Sequence, residues 1–378
     1  VVYVIKLLHV ISDTNIGGAG KYLLTYLANC NRERFEVIVV VPQGSALIRE
    51  IKDKGFDVIE AKGMSDKSVG ASAVFDLRKI ISREKPDIVH THAALSARIA
   101  ARLAGKSKII YTRHSVFPQK AYLTKGIGKK INGFAASLLS DGIIAVAGAA
   151  KKNLTDTGID ERKIRVIYNG VDSIERLTED EKQEVRRKLG ISPNEFVVAI
   201  IARLEHVKGH RYFIEAAKAV KNAGIAARFV IAGTGSCEGQ LKQLAADMGL
   251  GDTVLFTGFL KNVNELENIM DVQVNASFGT EAASLSLLEG MSIGKPAVVS
   301  DFGGNPELIE DGVNGFVVPQ KNSEAIAQKI IKLLTDEKLR NDISNAAVQA
   351  FQSRFTSKIM TENMEDFYYS IIEGKDEK

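Results

Sequence analysis

Residues 274–309 read V-N-A-S-F-G-T-E-A-A-S-L-S-L-L-E-G-M-S-I-G-K-P-A-V-V-S-D-F-G-G-N-P-E-L-I. Glu281 follows Gly279-Thr280 and is expected on a loop, separated by seven residues from a second carboxylate, Glu289. Ser284 suits an N-cap, and Leu285, Leu287, Leu288 and Met291 then carry a helix with Glu289 on its second turn. Gly294-Lys295-Pro296 ends that helix, and Ala297-Val298-Val299 begins a buried strand. The helix would open toward the loop carboxylate, with unpaired N–H groups at Ser284 and Leu285 and the positive end of its dipole. Such an end accepts an anion such as a phosphate or diphosphate.

Outward from this stretch, strand and helix signals alternate, which predicts parallel sheets with helices on both faces. Phe196 to Ala202 reads as a strand, followed by Arg203-Leu204-Glu205-His206-Val207-Lys208-Gly209, two cations in a tight loop. Near the start, Ile5 to Ile11 is a strand, Asn15-Ile16-Gly17-Gly18-Ala19-Gly20 a turn, and Lys21 to Ala28 a helix. That order suits a phosphate-facing turn. The turn is not a P-loop, since Asn15 replaces the first Gly and Tyr22 the Ser/Thr, and it is not G-x-G-x-x-G. His90, His92 and His114 fall at the carboxyl ends of expected strands, where ligands of open α/β sheets gather. A metal site is the rival reading for them, but no carboxylate stands beside them in the sequence.

These motifs resemble the nucleotide-sugar site of retaining glycosyltransferases of the GT-B fold, family 4, also called group 1. The signature is E-x7-E, a G-x-P strand start and a G-G-x-x-E turn, carried here by Glu281, Glu289, Gly294, Pro296, Gly303, Gly304 and Glu307. Arg203, Lys208 and Gly209 match the R-x4-K-G loop, and Asn169-Gly170-Val171-Asp172 the turn that closes the first domain. Ala282 and Ala147 are small departures. The resemblance implies two Rossmann-like domains facing across a cleft. The first is expected at 1–172, on the acceptor side, with a linker at 173–190. The second, at 191–355, would hold the donor, and a last helix within about 356–378 would cross back to the first.

The resemblance also implies the chemistry. A sugar passes from a nucleotide diphosphate donor, a UDP-sugar before others, to an acceptor hydroxyl, with retention and without a metal or other cofactor. Arg203, Lys208, the helix N-terminus at Ser284 and Leu285, and the Gly17-Gly18 turn would hold the diphosphate. Fixed cations there stabilise the charge that builds on the leaving group. Glu289 would bind the ribose hydroxyls, Glu281 would lie beside the sugar, and His114 would face it. Glu281 lacks the flanking second carboxylate of a glycosidase. Substituting Glu281 or Arg203 is expected to cost catalysis more than folding. The product would enter cell-surface polysaccharide, glycolipid or another glycoconjugate. Two other functions share this architecture: a nucleotide-sugar 2-epimerase, and a non-catalytic nucleotide-binding protein.

At 378 residues the chain exceeds one ordinary core, which agrees with two domains. Cys30 and Cys237 have no metal-type spacing, no apolar run is long enough to span a bilayer, and no signal-peptide pattern opens the chain. A cytoplasmic protein, peripheral at most to the inner face of the membrane, is expected. The net charge of +4 is unevenly spread: residues 1–172 carry 27 Lys and Arg against 16 Asp and Glu, and residues 88–140 carry nine basic side chains and no acidic one. That asymmetry points to an anionic partner, a membrane surface, an acidic acceptor or nucleic acid. With the resemblance in hand nucleic acid is set aside, and the acceptor is expected to be anionic or lipid-linked. Residues 117–140 set Lys120, Lys125, Lys129 and Lys130 beside Tyr122, Leu123, Ile127 and Phe134, a composition suited to a membrane surface. Gly126, Gly128 and Gly133 would weaken a long helix there.

Overall fold

The computed structural model describes residues 3–64, 70–92 and 94–374. Val1 and Val2 of the first expected domain and residues 375–378 of the last expected segment lie outside them. The chain divides into two compact units. One holds the described residues up to Gly170 together with those from Ser357; the other is Val171–Thr356.

The first unit is a seven-stranded sheet of β1 (Ile5–Ile11), β2 (Phe35–Pro42), β3 (Asp57–Ala61), β4 (Ile88–His92), β5 (Lys108–Arg113), β6 (Gly142–Ala145) and β7 (Ile164–Val166). Their order is β3-β2-β1-β4-β5-β6-β7, and every pairing is parallel. β1 is buried along both faces except at Lys6, whose ammonium bridges Glu36 at 3.1 Å and Glu84 at 3.5 Å. Apart from the buried His9, an apolar run with one charged rim residue is what a central parallel strand needs. The chain's last helix, Ser357–Glu373, belongs to this unit and packs on the helix Gly18–Asn29. The Tyr22 hydroxyl donates to Met364 Sδ at 3.1 Å, and Glu365 accepts from the Asn31 N–H at 2.8 Å. Gly142 is bare because Phe367 and Ile371 fill the place of its side chain.

The second unit is a six-stranded parallel sheet, β8 (Phe196–Ile201), β9 (Ala227–Ala232), β10 (Val254–Gly258), β11 (Val272–Asn275), β12 (Ala297–Ser300) and β13 (Phe316–Val318). The order is β10-β9-β8-β11-β12-β13. Phe213 and Phe229 sit fully buried at the centre of its core, with ring centroids 5.2 Å apart. Residues 173–190, expected as a linker, are part of this unit: the helix Glu179–Lys188 packs on the helix Asn264–Ile269 and buries Val185. The charged composition that suggested a linker instead builds the helix ends. Thr178 and Glu181 form a reciprocal capping box, Glu179 and Asp180 fill the first turn, and Arg186, Arg187 and Lys188 fill the last.

Residues 117–140 also depart from expectation, because Gly126–Leu139 is one continuous 14-residue helix despite its glycines. The glycines permit close packing instead of breaking the turn. A Cβ on Gly128 would run into the Tyr122 carbonyl, and one on Gly133 into the Gly158 carbonyl. Among the described residues no helix is long and apolar enough to cross a membrane.

Candidate functional site

In the second unit the strand order reverses between β8 and β11, the position at which open α/β sheets gather ligands at the carboxyl ends of their strands. The loop after β8 carries Arg203 and Lys208, and the loop after β11 carries Glu281. The first loop is fixed by backbone bonds: Ala202 N–H to Ala232 O at 3.1 Å, and Leu204 N–H to Thr234 O at 2.9 Å. Gly209 ends it in the left-handed region, φ 74°, where a Cβ would strike the Ala276 carbonyl. The second loop is tied to the first by Phe278 N–H to Val207 O at 2.9 Å.

This brings Lys208 and Glu281 together. Nζ lies 2.8 Å from Oε2, with the two side chains 15% and 10% exposed. The same carboxylate oxygen accepts from Ser277 Oγ at 3.2 Å and Asn275 Nδ2 at 3.5 Å. Gly303, φ 60°, packs so closely beneath Glu281 that a Cβ would meet its carbonyl. The first glycine of the G-G-x-x-E turn therefore sets the height of the carboxylate loop. Arg203, on the first loop, is exposed.

The helix Leu285–Ser292 opens at the same end. Ser284 caps it, its Oγ accepting from Leu287 N–H at 3.4 Å. Ser286 Oγ donates to Ile201 O at 3.1 Å, tying the helix start to the end of β8, two residues before Arg203. Glu289 is half-buried on the second turn. Arg203, Lys208, Glu281, Ser284 and Leu285 thus share the carboxyl edge of one sheet. Ser277 and Asn275, which hold Glu281, drew no attention in the sequence; a short polar side chain at the end of a strand is the signal that could have found them.

In the first unit the helix begins at Gly18 with Gly17 as N-cap, three residues earlier than expected. Neither glycine has positive φ; a Cβ on Gly18 would meet open space, and one on Gly17 only Asp13. His114 lies just past β5 in a stack of histidines that the sequence showed only in part. His9 Nδ1 is 3.0 Å from His92 Nε2, and His92 Nδ1 is 3.0 Å from His114 Nε2. His90 bonds the Tyr368 hydroxyl through Nδ1 and the Thr112 hydroxyl through Nε2, both at 2.7 Å. The nitrogens of His9, His90 and His92 lie close enough together to suit a metal. Those of His90 and His92, however, are all engaged by protein partners. His9 was the missed member: its ring becomes relevant only once β1 is known to lie beside β4, opposite His90.

Burial pushes His9 and His114 down to about 3, and pushes His90 and His92 well below their ordinary value with help from neighbouring imidazoles. A histidine lowered in the fold takes its proton only on unfolding. Its stabilising contribution is therefore complete above the ordinary value of 6.5 and is lost as the pH falls below it. Hydrogen exchange of β1 and β4 amides should report loss of stability in the first unit between about pH 7 and about pH 5, at roughly 1.4 kcal/mol per pH unit for each histidine once below its unfolded value. Equal protection at both pH values would contradict burial of these rings in the neutral form.

Compared with known proteins, residues 181–350 match the family "Glycosyl transferases group 1" and residues 16–174 match "Glycosyltransferase Family 4". The chain is 30% identical over 308 residues to EpsD of Bacillus subtilis (strain 168), named as a glycosyltransferase, covering 79% of this chain and 80% of that one. It is 27% identical to the UDP-Gal:alpha-D-GlcNAc-diphosphoundecaprenol alpha-1,3-galactosyltransferase of Escherichia coli, covering 98% of each. Among solved structures it resembles HepE of Anabaena, determined in complex with UDP-glucose, with a TM-score of 0.85, 22% identity, and coverage of 97% of this chain and 100% of that one.

Proposed function

Because the chain belongs to the group 1, family 4 glycosyltransferases, we propose that it moves a sugar from a UDP-sugar to an acceptor hydroxyl with retention and without a metal ion. The observation that carries this is the Lys208–Glu281 pair at the reversal point of a parallel sheet, flanked by Arg203 and a capped helix N-terminus. Arg203 and Lys208 would meet the diphosphate, the guanidinium gripping two oxygens and the ammonium acting as a compact charge. The N–H groups at Ser284 and Leu285 would add to the same field. Glu289 would bind the ribose, and Glu281 would lie beside the sugar. In the first unit, His114 would face the sugar, and the helix start at Gly17 and Gly18 the phosphates. UDP is favoured because the E. coli relative takes UDP-Gal by its name.

The C1–O bond to the β-phosphate breaks with its electron pair leaving on that oxygen. The acceptor oxygen then bonds C1 from the same face and gives its proton to the departing phosphate. With water as a slow acceptor, 1H NMR of an α-linked UDP-sugar should reveal the α-sugar before mutarotation. Release of the β-anomer first would overturn retention, and a sugar inverted at C2 would identify an epimerase instead.

The acceptor is proposed to be lipid-linked or anionic, on the route to a polysaccharide, glycolipid or other glycoconjugate, met at an anionic membrane surface. Along the helix Gly126–Leu139, Ile127, Ile131, Phe134 and Leu138 recur at helical spacing and are 53–77% exposed. Lys125, Lys129 and Lys130 flank them, and Phe117 and Tyr122, a few residues earlier in the chain, are exposed as well. An apolar stripe beside lysines suits anionic headgroups over acyl chains, and the E. coli relative is named for an undecaprenol-linked acceptor. Vesicles containing phosphatidylglycerol should sediment with the protein. Ile131→Ser with Phe134→Ser should abolish that without moving the thermal midpoint, as both side chains are exposed. Cosedimentation unchanged in this variant would remove the helix as the contact.

A further inference from the structure

We propose that His9 and His92 are positioning residues that hold His114 in one tautomer, with its proton on Nδ1, so that it meets its ligand as a hydrogen-bond donor. The consequence for turnover rests on the reading of His114 as facing the sugar; the tautomer does not.

Three rings step diagonally across three neighbouring strands. His9 on β1 pairs in register with His90, His92 lies two residues further along β4, and His114 lies two residues beyond Thr112, the register partner of His92 on β5. Side chains two apart share a face of the sheet, so the rings line up toward its carboxyl edge. Successive rings are close to parallel, at 18° and 27°, with centroids 5.3 and 5.2 Å apart. Both nitrogen–nitrogen distances are hydrogen-bond distances.

A neutral imidazole has one N–H and one lone pair. Both nitrogens of His92 are used within the chain, so the two bonds must run in the same sense. In one sense His9 Nδ1–H donates to His92 Nε2, and His92 Nδ1–H donates to His114 Nε2. In the other, every proton is on Nε2. The far end decides between them. Among the described residues His9 Nε2 is buried without a partner, so the second sense would strand an N–H where none of them accepts it. An orphaned buried donor is the rarer defect, and the first sense leaves only a bare lone pair there.

His90 packs against this chain but cannot divert it, since its nitrogens serve the Tyr368 and Thr112 hydroxyls. His114 therefore accepts at Nε2 and carries its proton on Nδ1. A ring fixed this way addresses an acceptor oxygen and does not act as a base.

The test is 15N NMR of the full chain with labelled histidine at neutral pH. His114 should show a protonated Nδ1 and a bare Nε2, with 15N–15N couplings across both N–H···N bonds linking the three rings. A proton on Nε2 of His114, exchange-averaged nitrogens, or missing couplings would overturn the proposal. This readout needs no substrate, so it fails independently of the sugar assignment, which fails instead if His114→Ala turns over donor at the normal rate. In His92→Phe the His114 nitrogens should become averaged, and kcat should fall about tenfold with the KM for UDP-sugar unchanged, the worth of about one hydrogen bond. Normal kcat in a folded His92→Phe would overturn the positioning role; should that variant not fold, the tautomer in the unaltered protein still decides.

Discussion

Arg203→Ala is expected to lower donor turnover by about 100-fold or more, because a fixed cation at a leaving group is worth most where charge is developing. The same change should leave the urea midpoint unmoved, since Arg203 is exposed and its loop is held by backbone bonds at Ala202 and Leu204. Arg203→Lys keeps the charge but loses the two-pronged grip, and should recover only part of the rate. A turnover assay with a matched urea titration checks both. If Arg203→Ala retains full turnover, the diphosphate is held elsewhere.

Glu281→Ala should be costly in two ways. It removes the carboxylate beside the sugar, and it leaves the Lys208 ammonium almost buried with its ion partner gone. Breaking a buried pair from one side costs roughly 3–5 kcal/mol; with this pair 10–15% exposed, about 2–4 kcal/mol is expected. Glu281→Ala combined with Lys208→Met should regain much of that stability while staying inactive. Turnover and urea midpoint, measured across the single and double variants, separate the two losses. Recovery of activity in the double variant would mean that Glu281 serves only to neutralise Lys208. A folding cost is thus expected alongside the catalytic one. Its carboxylate is built into the packing of the two loops.

The alternation of strands and helices, the sheet assignments and the cap at Ser284 were legible because each rests on local chemistry: apolar runs, Gly and Pro punctuation, a hydroxyl before a helix. β1 falls where the sequence put it, at Ile5–Ile11, and β12 begins at Ala297 as expected. What stayed hidden depends on strand order. Nothing between Lys208 and Glu281, 73 positions apart, says that their loops meet; that follows from β8 lying next to β11. His9 likewise gains partners only from the adjacency of β1 and β4, and Tyr368 reaches His90 from the far end of the chain. The charged, helix-prone segment 173–190, taken as a linker, carries the helix Glu179–Lys188 within the second unit, its charges completing the helix ends. The glycines of the helix Gly126–Leu139 were read as breakers, although two of them make room for neighbouring carbonyls.

The most direct measurement is calorimetric titration of the parent and Arg203→Ala with UDP-, GDP- and ADP-sugars. A nucleotide-sugar site predicts binding of one nucleotide class by the parent, UDP-sugars first, and its loss or strong weakening in the variant. Binding of none of the three by the parent, or equal binding by both proteins, would contradict the donor site built on Arg203, Lys208 and the helix at Ser284.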